Sequence, residues 1–409
     1  MQLPSPYDRL LMPVYLPSFI MSVSQMALLI LLPLYVLELG YGPVLASLVM
    51  GLRGIGLLLF DLPAGMLVTR FGDKPVLLTG LGLTLAGTLL LAATPHPLIL
   101  SVAAVILGAG FSAWMLGRQS YIADTCKPDE VGRAIALMAG LQRAGSFIGP
   151  AAGGVMAQFA GYPLTFVVAA ASAVAAAIFV ASFMRNVKHD TGESHEFPAG
   201  TLSVLRSHRK VFATAGFAAF ALQVMRAARQ LLVPLVGAAL GLDSVQIGAI
   251  YSLSAAVDMC LFYPVGVLVD RRGRKWSAVP SMALFAIGLA LLSTAGGFES
   301  LLAVSLLLGV ANGLSAGIVL IIGADLARQS GQRGQFLGLW RFIGDVGMTA
   351  SPMLTSVLIG AASLAAASVS AAGIGIAGTL VMILLVPETL RKGPYGRSGP
   401  GACGDSQDR

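Results

Sequence analysis

The fourteen residues Asp61–Lys74 recur with seven identities at Phe262–Lys275, 201 positions later in a chain of 409. The shared residues are Pro, Gly, Leu, Val, Arg, Gly and Lys, and each copy lies between two apolar runs long enough to cross a bilayer. The same offset carries Leu107-Gly108 onto Leu308-Gly309 and Ala123-Asp124 onto Ala324-Asp325. A membrane chain that doubles at half its length is expected to fold as two like units, with a solute site between them.

Composition supports a membrane setting. Hydrophobic residues make up 56% of the chain and charged residues 11%, against about 25% charged in soluble domains. At about twenty residues per crossing, there is room for about twelve spans. Apolar runs place them near 12–37, 44–66, 75–93, 98–122, 134–158 and 163–184, then 211–236, 246–268, 276–295, 301–323, 335–359 and 362–386. Twenty Lys and Arg fall in the alternate loops, the 185–210 segment and the tail, whereas the opposite loops contain none. Basic loops stay cytoplasmic, so both termini are expected inside, in a multi-pass protein of the plasma (inner) membrane. The net charge of +7 is a topology signal rather than a nucleic-acid patch. The first run is too long for a signal-peptide core and reads as the first span.

The expected class is an all-α polytopic membrane protein of twelve transmembrane helices in two six-helix bundles. Residues 1–184 form one bundle and 211–390 the other, with a cytoplasmic linker at 185–210 and a polar, disordered tail at 391–409. Cys126, Cys260 and Cys403 are odd in number and widely spaced, which argues against a disulfide framework or a metal site. No cofactor is implied.

In the repeated segment, Gly266 lets neighbouring helices approach, and Gly273 permits a tight turn at the bilayer surface. Asp270 can face the positive N-terminus of a nearby helix, and Arg271, Arg274 and Lys275 hold the loop on the cytoplasmic side. The string Gly266-x-x-x-Asp270-Arg271-x-Gly273-Arg274-Lys275 resembles the signature of the major facilitator superfamily, and the likeness extends over essentially the whole chain. That resemblance implies a latch on the cytoplasmic side, made by Gly65, Arg70 and Gly72 in the first copy and by Gly266–Lys275 in the second. Asp124 and Asp325 would pair with Arg70 and Arg271. The first copy departs from the pattern, with Thr69 where Asp is expected and Asp73 at a usually basic position.

In the fifth span, Gly145, Gly149 and Gly153 put a flat face on one side of a helix, and Pro150 removes a helical hydrogen bond. With Gly154 they resemble the glycine-proline motif of the drug:proton antiporter branch, which implies exchange rather than leak. The family's Arg-x-x-Gln-Gly motif is half present, with Ala104 and Leu107 standing for Arg and Gln.

Nine ionisable residues fall inside the predicted spans: Arg53, Arg118, Arg143, Arg226, Arg229, Arg341, Asp61, Asp258 and Asp345. Such residues are costly and mark pathways by default. By the resemblance, the fifth span faces the eighth and the second faces the eleventh, so Arg143 would meet Asp258 and Asp61 would meet Arg341. Arg118 and Arg229 have the alternative of snorkelling to the surface. Gln25, Gln142 and Arg226 join the expected solute and proton pathway. Six Arg against three Asp leave a positive surplus that tilts the solute toward an anion or zwitterion. The expected function is export of a small amphipathic organic solute by alternating access, in exchange for protons, by a monomer among membrane lipids. A uniporter or symporter and a lipid flippase of the same fold are the alternatives. No hydrolase, zinc-protease or P-loop pattern occurs, so an enzyme is not expected.

Overall fold

The computed structural model of the chain describes residues 9–186, 201–328 and 330–388. Among them run twelve long helices: α1 Leu11–Glu38, α2 Gly42–Phe71, α3 Asp73–Ala93, α4 Pro97–Thr125, α5 Pro128–Ala160, α6 Tyr162–Phe183, α7 Arg209–Ala239, α8 Ser244–Arg272, α9 Lys275–Leu292, α10 Phe298–Ala327, α11 Arg333–Ala361 and α12 Leu364–Leu384. Eleven are long and apolar enough to cross a membrane. The twelfth, α5, has the length but not the composition. Its 33 residues reach about 50 Å at 1.5 Å each, and they carry Arg133, Gln142, Arg143 and Gln158. The reason is its place: α5 is lodged between α1 and α8, so protein rather than lipid covers much of it.

Helices α1–α6 pack chiefly on one another, as do α7–α12. The sequence repeat holds down to single turns. A five-residue π turn opens α1 at Leu11–Tyr15 and another opens α7 at Phe212–Gly216. A side chain at Gly108 would collide with the Arg53 carbonyl, and one at Gly309 with that of Ser254. Gly87 is pressed against Leu107, and Gly288 against Leu308. Each of these pairs is 201 residues apart. Lys74 donates to the Ala181 carbonyl and Lys275 to that of Ile383, tying the repeated loop to the sixth helix of each half.

Two features depart from the sequence reading. The latter part of the linker is helical, Thr201–Ser207; it packs on α11, and its Val204 is buried. Helix α10 is interrupted at Ser315–Gly317, where Gly317 takes φ +70°, whereas its repeat partner α4 is continuous. Side chains from α9, α7 and α11 take up the carbonyls at the break: Ser277 on Leu314, Ser281 on Ala311, Arg226 on Ser315 and Trp340 on Val319. Broken helices persist at membrane depth only when neighbours satisfy the freed backbone in this way. The disordered tail expected at 391–409, and the 187–200 part of the linker, lie outside the described residues.

The bundles meet along α5 on α8, α2 on α11 and α1 on α7. The closest contacts lie toward the end away from the two termini. Gly154 abuts the Ser244 carbonyl, Gly248 that of Pro150, Gly51 abuts Met353 and Gly54 abuts Thr349. Ser356 donates to the Val44 carbonyl at 2.9 Å. Near the end that carries the termini, a side chain added at Gly140, Gly266, Gly334 or Gly338 would meet nothing within 4 Å.

Candidate functional site

Arg143 of α5 and Asp258 of α8 join the two halves near mid-depth. The guanidinium donates to Asp258 Oδ1 at 2.6 Å, and the side chains are 18% and 9% exposed. Asn312 of α10 donates to the other carboxylate oxygen at 2.9 Å, and the Phe262 ring lies 4.3 Å from the Arg143 guanidinium carbon. A cation held between a carboxylate and a ring face is stabilised from two sides.

Arg226 of α7 is the second member. It donates to Gln223 Oε1 at 3.0 Å, and to both the carbonyl and the hydroxyl of Ser315 at 2.7 and 2.8 Å. It therefore holds the break in α10. Arg229 donates to Ser254 at 2.8 Å and lies over the Tyr251 ring. Arg143, Arg229 and Asp258 all lie within electrostatic reach of Arg226. The cluster thus holds three arginines and one aspartate, a local surplus of positive charge beside a helix break.

At the other interface the expected partners stand near each other without pairing. Asp61 of α2 accepts a hydrogen bond from Ser112 of α4, and Arg341 of α11 turns to Asp345 one turn away, at 3.5 Å. Arg341 and Asp345 remain within electrostatic reach of Asp61. Arg341, at 41% exposed, faces open space.

Three expectations for the loop latch are corrected. Asp325 pairs with Arg274, at 2.9 Å, rather than with Arg271. The carboxylate at the α9 N-terminus belongs to Glu388, which accepts from the Arg274 and Lys275 amides, while Asp270 and Arg271 are exposed. In the first copy Arg70 lies over the Phe71 ring rather than on Asp124. Gly72 and Gly273 do take the positive φ that only glycine adopts freely, +87° and +110°, whereas a side chain added at Gly65 would meet only Leu116, at an ordinary 3.8 Å.

In the α5 motif, Gly145, Gly149 and Gly153 pack on α1, against Ser22, Val23 and Ala27. This is contact within one half. Pro150 and Gly154 instead face α8, and the Ala151 amide donates across the interface to Ser252 at 2.9 Å.

Gln25 accepts from Arg53 at 3.1 Å, and Gln142 lines a recess with Gln25 and Arg118. Arg118 and Arg229 are 3% and 5% exposed, so neither snorkels to the surface. Ser112, Ser254, Ser315 and Phe262 were missed by reading charges alone. The repeat offered one signal, since Ser254 occupies the position of Arg53.

The sequence model of the Major Facilitator Superfamily matches residues 14–228 and again 215–402. The multidrug resistance protein MdtH of Yersinia enterocolitica is 28% identical over 273 residues, which is 62% of this chain. The chain spans 64% of that relative's length. Among solved structures, a POT family transporter in complex with a thioalcohol-conjugated peptide superposes with a TM-score of 0.75 at 11% identity, covering 90% of this chain and 94% of its own. The nucleoside transporter NupG superposes with a TM-score of 0.73 at 14% identity, covering 93% and 100%. At these identities the two structures speak for the fold alone. Two successive matches to one family model, on two helical halves related by 201 residues, make this chain a member of the Major Facilitator Superfamily.

Proposed function

We propose that this chain exports a small amphipathic organic solute, anionic or zwitterionic, by alternating access in exchange for protons. The observation that carries the reading is the Arg143–Asp258 pair, which bridges the halves beside two further arginines. A solute anion entering there competes with Asp258 for the arginines, and a proton on Asp258 releases Arg143. Each event weakens the bridge that holds the halves in register. The likeness to a multidrug resistance protein supports efflux as the direction. In this reading α5 is the twelfth span, the terminal end of the bundles faces the cytoplasm of the plasma (inner) membrane, and residues 1–184 and 211–390 move as the two bodies of a monomer. Asp61, Arg341 and Asp345 form a second set of contacts that makes and breaks as the bodies rock.

The test is proton movement in proteoliposomes that report lumenal pH while organic anions, zwitterions and cations are offered in turn. Solute-dependent proton flux that disappears in Asp258→Asn and Asp345→Asn variants is the expected result. Solute movement with no proton signal would replace exchange by uniport.

A further inference from the structure

Asp258 is held on both carboxylate oxygens, and its two partners belong to different halves. Arg143 of α5 reaches Oδ1 at 2.6 Å from the N-terminal half. Asn312 of α10 donates to Oδ2 at 2.9 Å from the half that carries Asp258 itself. Helices α8 and α10 approach closely at this level. A carbon added at Gly313 would lie 2.8 Å from Leu261 Cβ and 3.3 Å from Asp258 Cα. Parting of the halves therefore carries Arg143 away from Asp258 and leaves Asn312 beside it.

The other charged or titratable groups within electrostatic reach of Asp258 are Arg226 of α7 and Tyr251 of α8, and Arg229 lies over the Tyr251 ring. Arginines have donors only. They serve a carboxylate and offer nothing to a carboxylic acid, which has a proton of its own to donate. A side-chain amide has both a donor and an acceptor. The amide oxygen of Asn312 accepts from no group among the described residues, and a half-turn of the amide brings it to where the nitrogen now stands. The repeat supplies a comparison. Asp258 stands opposite Leu57 and Asn312 opposite Phe111, so the acid and the amide occur together in one half and neither has a counterpart in the other.

We propose that Asn312 is the positioning residue for protonation of Asp258. Its nitrogen donates to the carboxylate that grips Arg143, and after the half-turn its oxygen accepts from the carboxylic acid that has let Arg143 go. A hydronium ion gives its proton to Oδ2 and leaves as water; the same O–H bond breaks, with the proton returned to water, when Arg143 comes back. A buried acid without an acceptor is disfavoured, and Asn312 removes that penalty where the arginines would leave it in place. The inference rests on the reading that Asp258 takes up a proton.

The test is infrared difference spectroscopy of the full-length protein in lipid vesicles, recorded between acid and alkaline buffer. The chain has two asparagines, Asn186 and Asn312. A heavy carbon isotope in the asparagine side-chain carbonyl therefore marks Asn312 alone once Asn186→Gln removes the other. The carboxylic acid band that vanishes in Asp258→Asn appears together with a change in the marked amide band. In Asn312→Leu, a side chain of similar size, the acid band moves to higher frequency because its proton has lost its acceptor. Solute-driven proton flux falls about tenfold in that variant, as for the loss of one hydrogen bond, and returns in Asn312→Gln. An Asp258 band at one frequency in wild type and Asn312→Leu, a marked amide band indifferent to acid, or undiminished flux in Asn312→Leu would overturn the proposal. Absence of any acid band from Asp258 would overturn it together with exchange. The expected band changes in a protein whose solute moves without protons would sink exchange and leave the role of Asn312 standing.

Discussion

The α5/α8 and α2/α11 interfaces are built from the same parts, one helical turn out of step. With the halves aligned by 201 residues, Asp61 falls on Phe262, one turn past Asp258, and Arg341 falls on Gly140, one turn before Arg143. Both members of the α2/α11 set are thus displaced toward the end that carries the termini. At α5/α8 the arginine and aspartate meet at 2.6 Å. At α2/α11 each has turned to its own half, Asp61 to Ser112 and Arg341 to Asp345. One turn of displacement places the second set where the bundles have parted and leaves the first where they touch. A transporter with two such rungs at different depths can release them in sequence rather than together.

The contrast predicts unequal costs. Asp258→Asn strands Arg143 near Arg226, and breaking a buried pair in this way costs about 3–5 kcal/mol. Unfolding in denaturant should show that loss, and the double variant Asp258→Asn/Arg143→Gln should recover most of it. A double variant no better than the single one would mean that the bridge is not a unit. Next in size is Gly154→Ala, whose added carbon would lie 2.2 Å from the Ser244 carbonyl oxygen. Overpacking of this kind costs about 1–3 kcal/mol, and distance measurements between spin labels on α5 and α8 should show the far end opening. Gly266→Ala, with nothing within 4 Å, is the matched control and should leave both readings at wild type.

A smaller effect tests the helix break. Gly317 holds φ +70°, so Gly317→Ala should lower stability by about 1 kcal/mol. Faster amide hydrogen exchange at Ile318–Ala327 would localise the damage. Smallest is Arg341→Gln. Its 41% exposed side chain makes a pair worth about 1 kcal/mol or less, so stability should barely change while transport falls. A large loss of stability would show that Arg341 already anchors the interface, and the distinction between the two rungs would be lost.

Much of this was legible in the chain. The 201-residue repeat, the alternating basic loops and the apolar runs carry the fold, because each records a solvent or symmetry requirement that acts on every residue of an element. Arg143, Asp258, Asp61 and Arg341 were legible as costly intramembrane charges. Their partners were not. Whether Asp325 meets Arg274 or Arg271 depends on rotation about one helix axis, and spacing alone cannot fix that. Glu388 lies more than a hundred residues from Lys275 in the chain, yet it caps α9 from the end of the adjacent α12. The break in α10 left a trace in Asn312-Gly313-Leu-Ser315-Ala-Gly317, but glycines are so frequent in these spans that the trace does not stand out. The polarity of α5 likewise follows from its position between halves, which no local window reports.

The two π turns, at Leu11–Tyr15 and Phe212–Gly216, record the doubling. A π turn accommodates one extra residue within a helical ladder, and two independent insertions at the same register are a poor explanation for the pair. A feature of the backbone at the same register in both halves is what a duplication leaves behind. The charges do not follow the repeat, since Arg53 stands opposite Ser254 and Asp258 opposite Leu57 in the same alignment. The two halves thus share a scaffold down to a single turn while each carries its own chemistry.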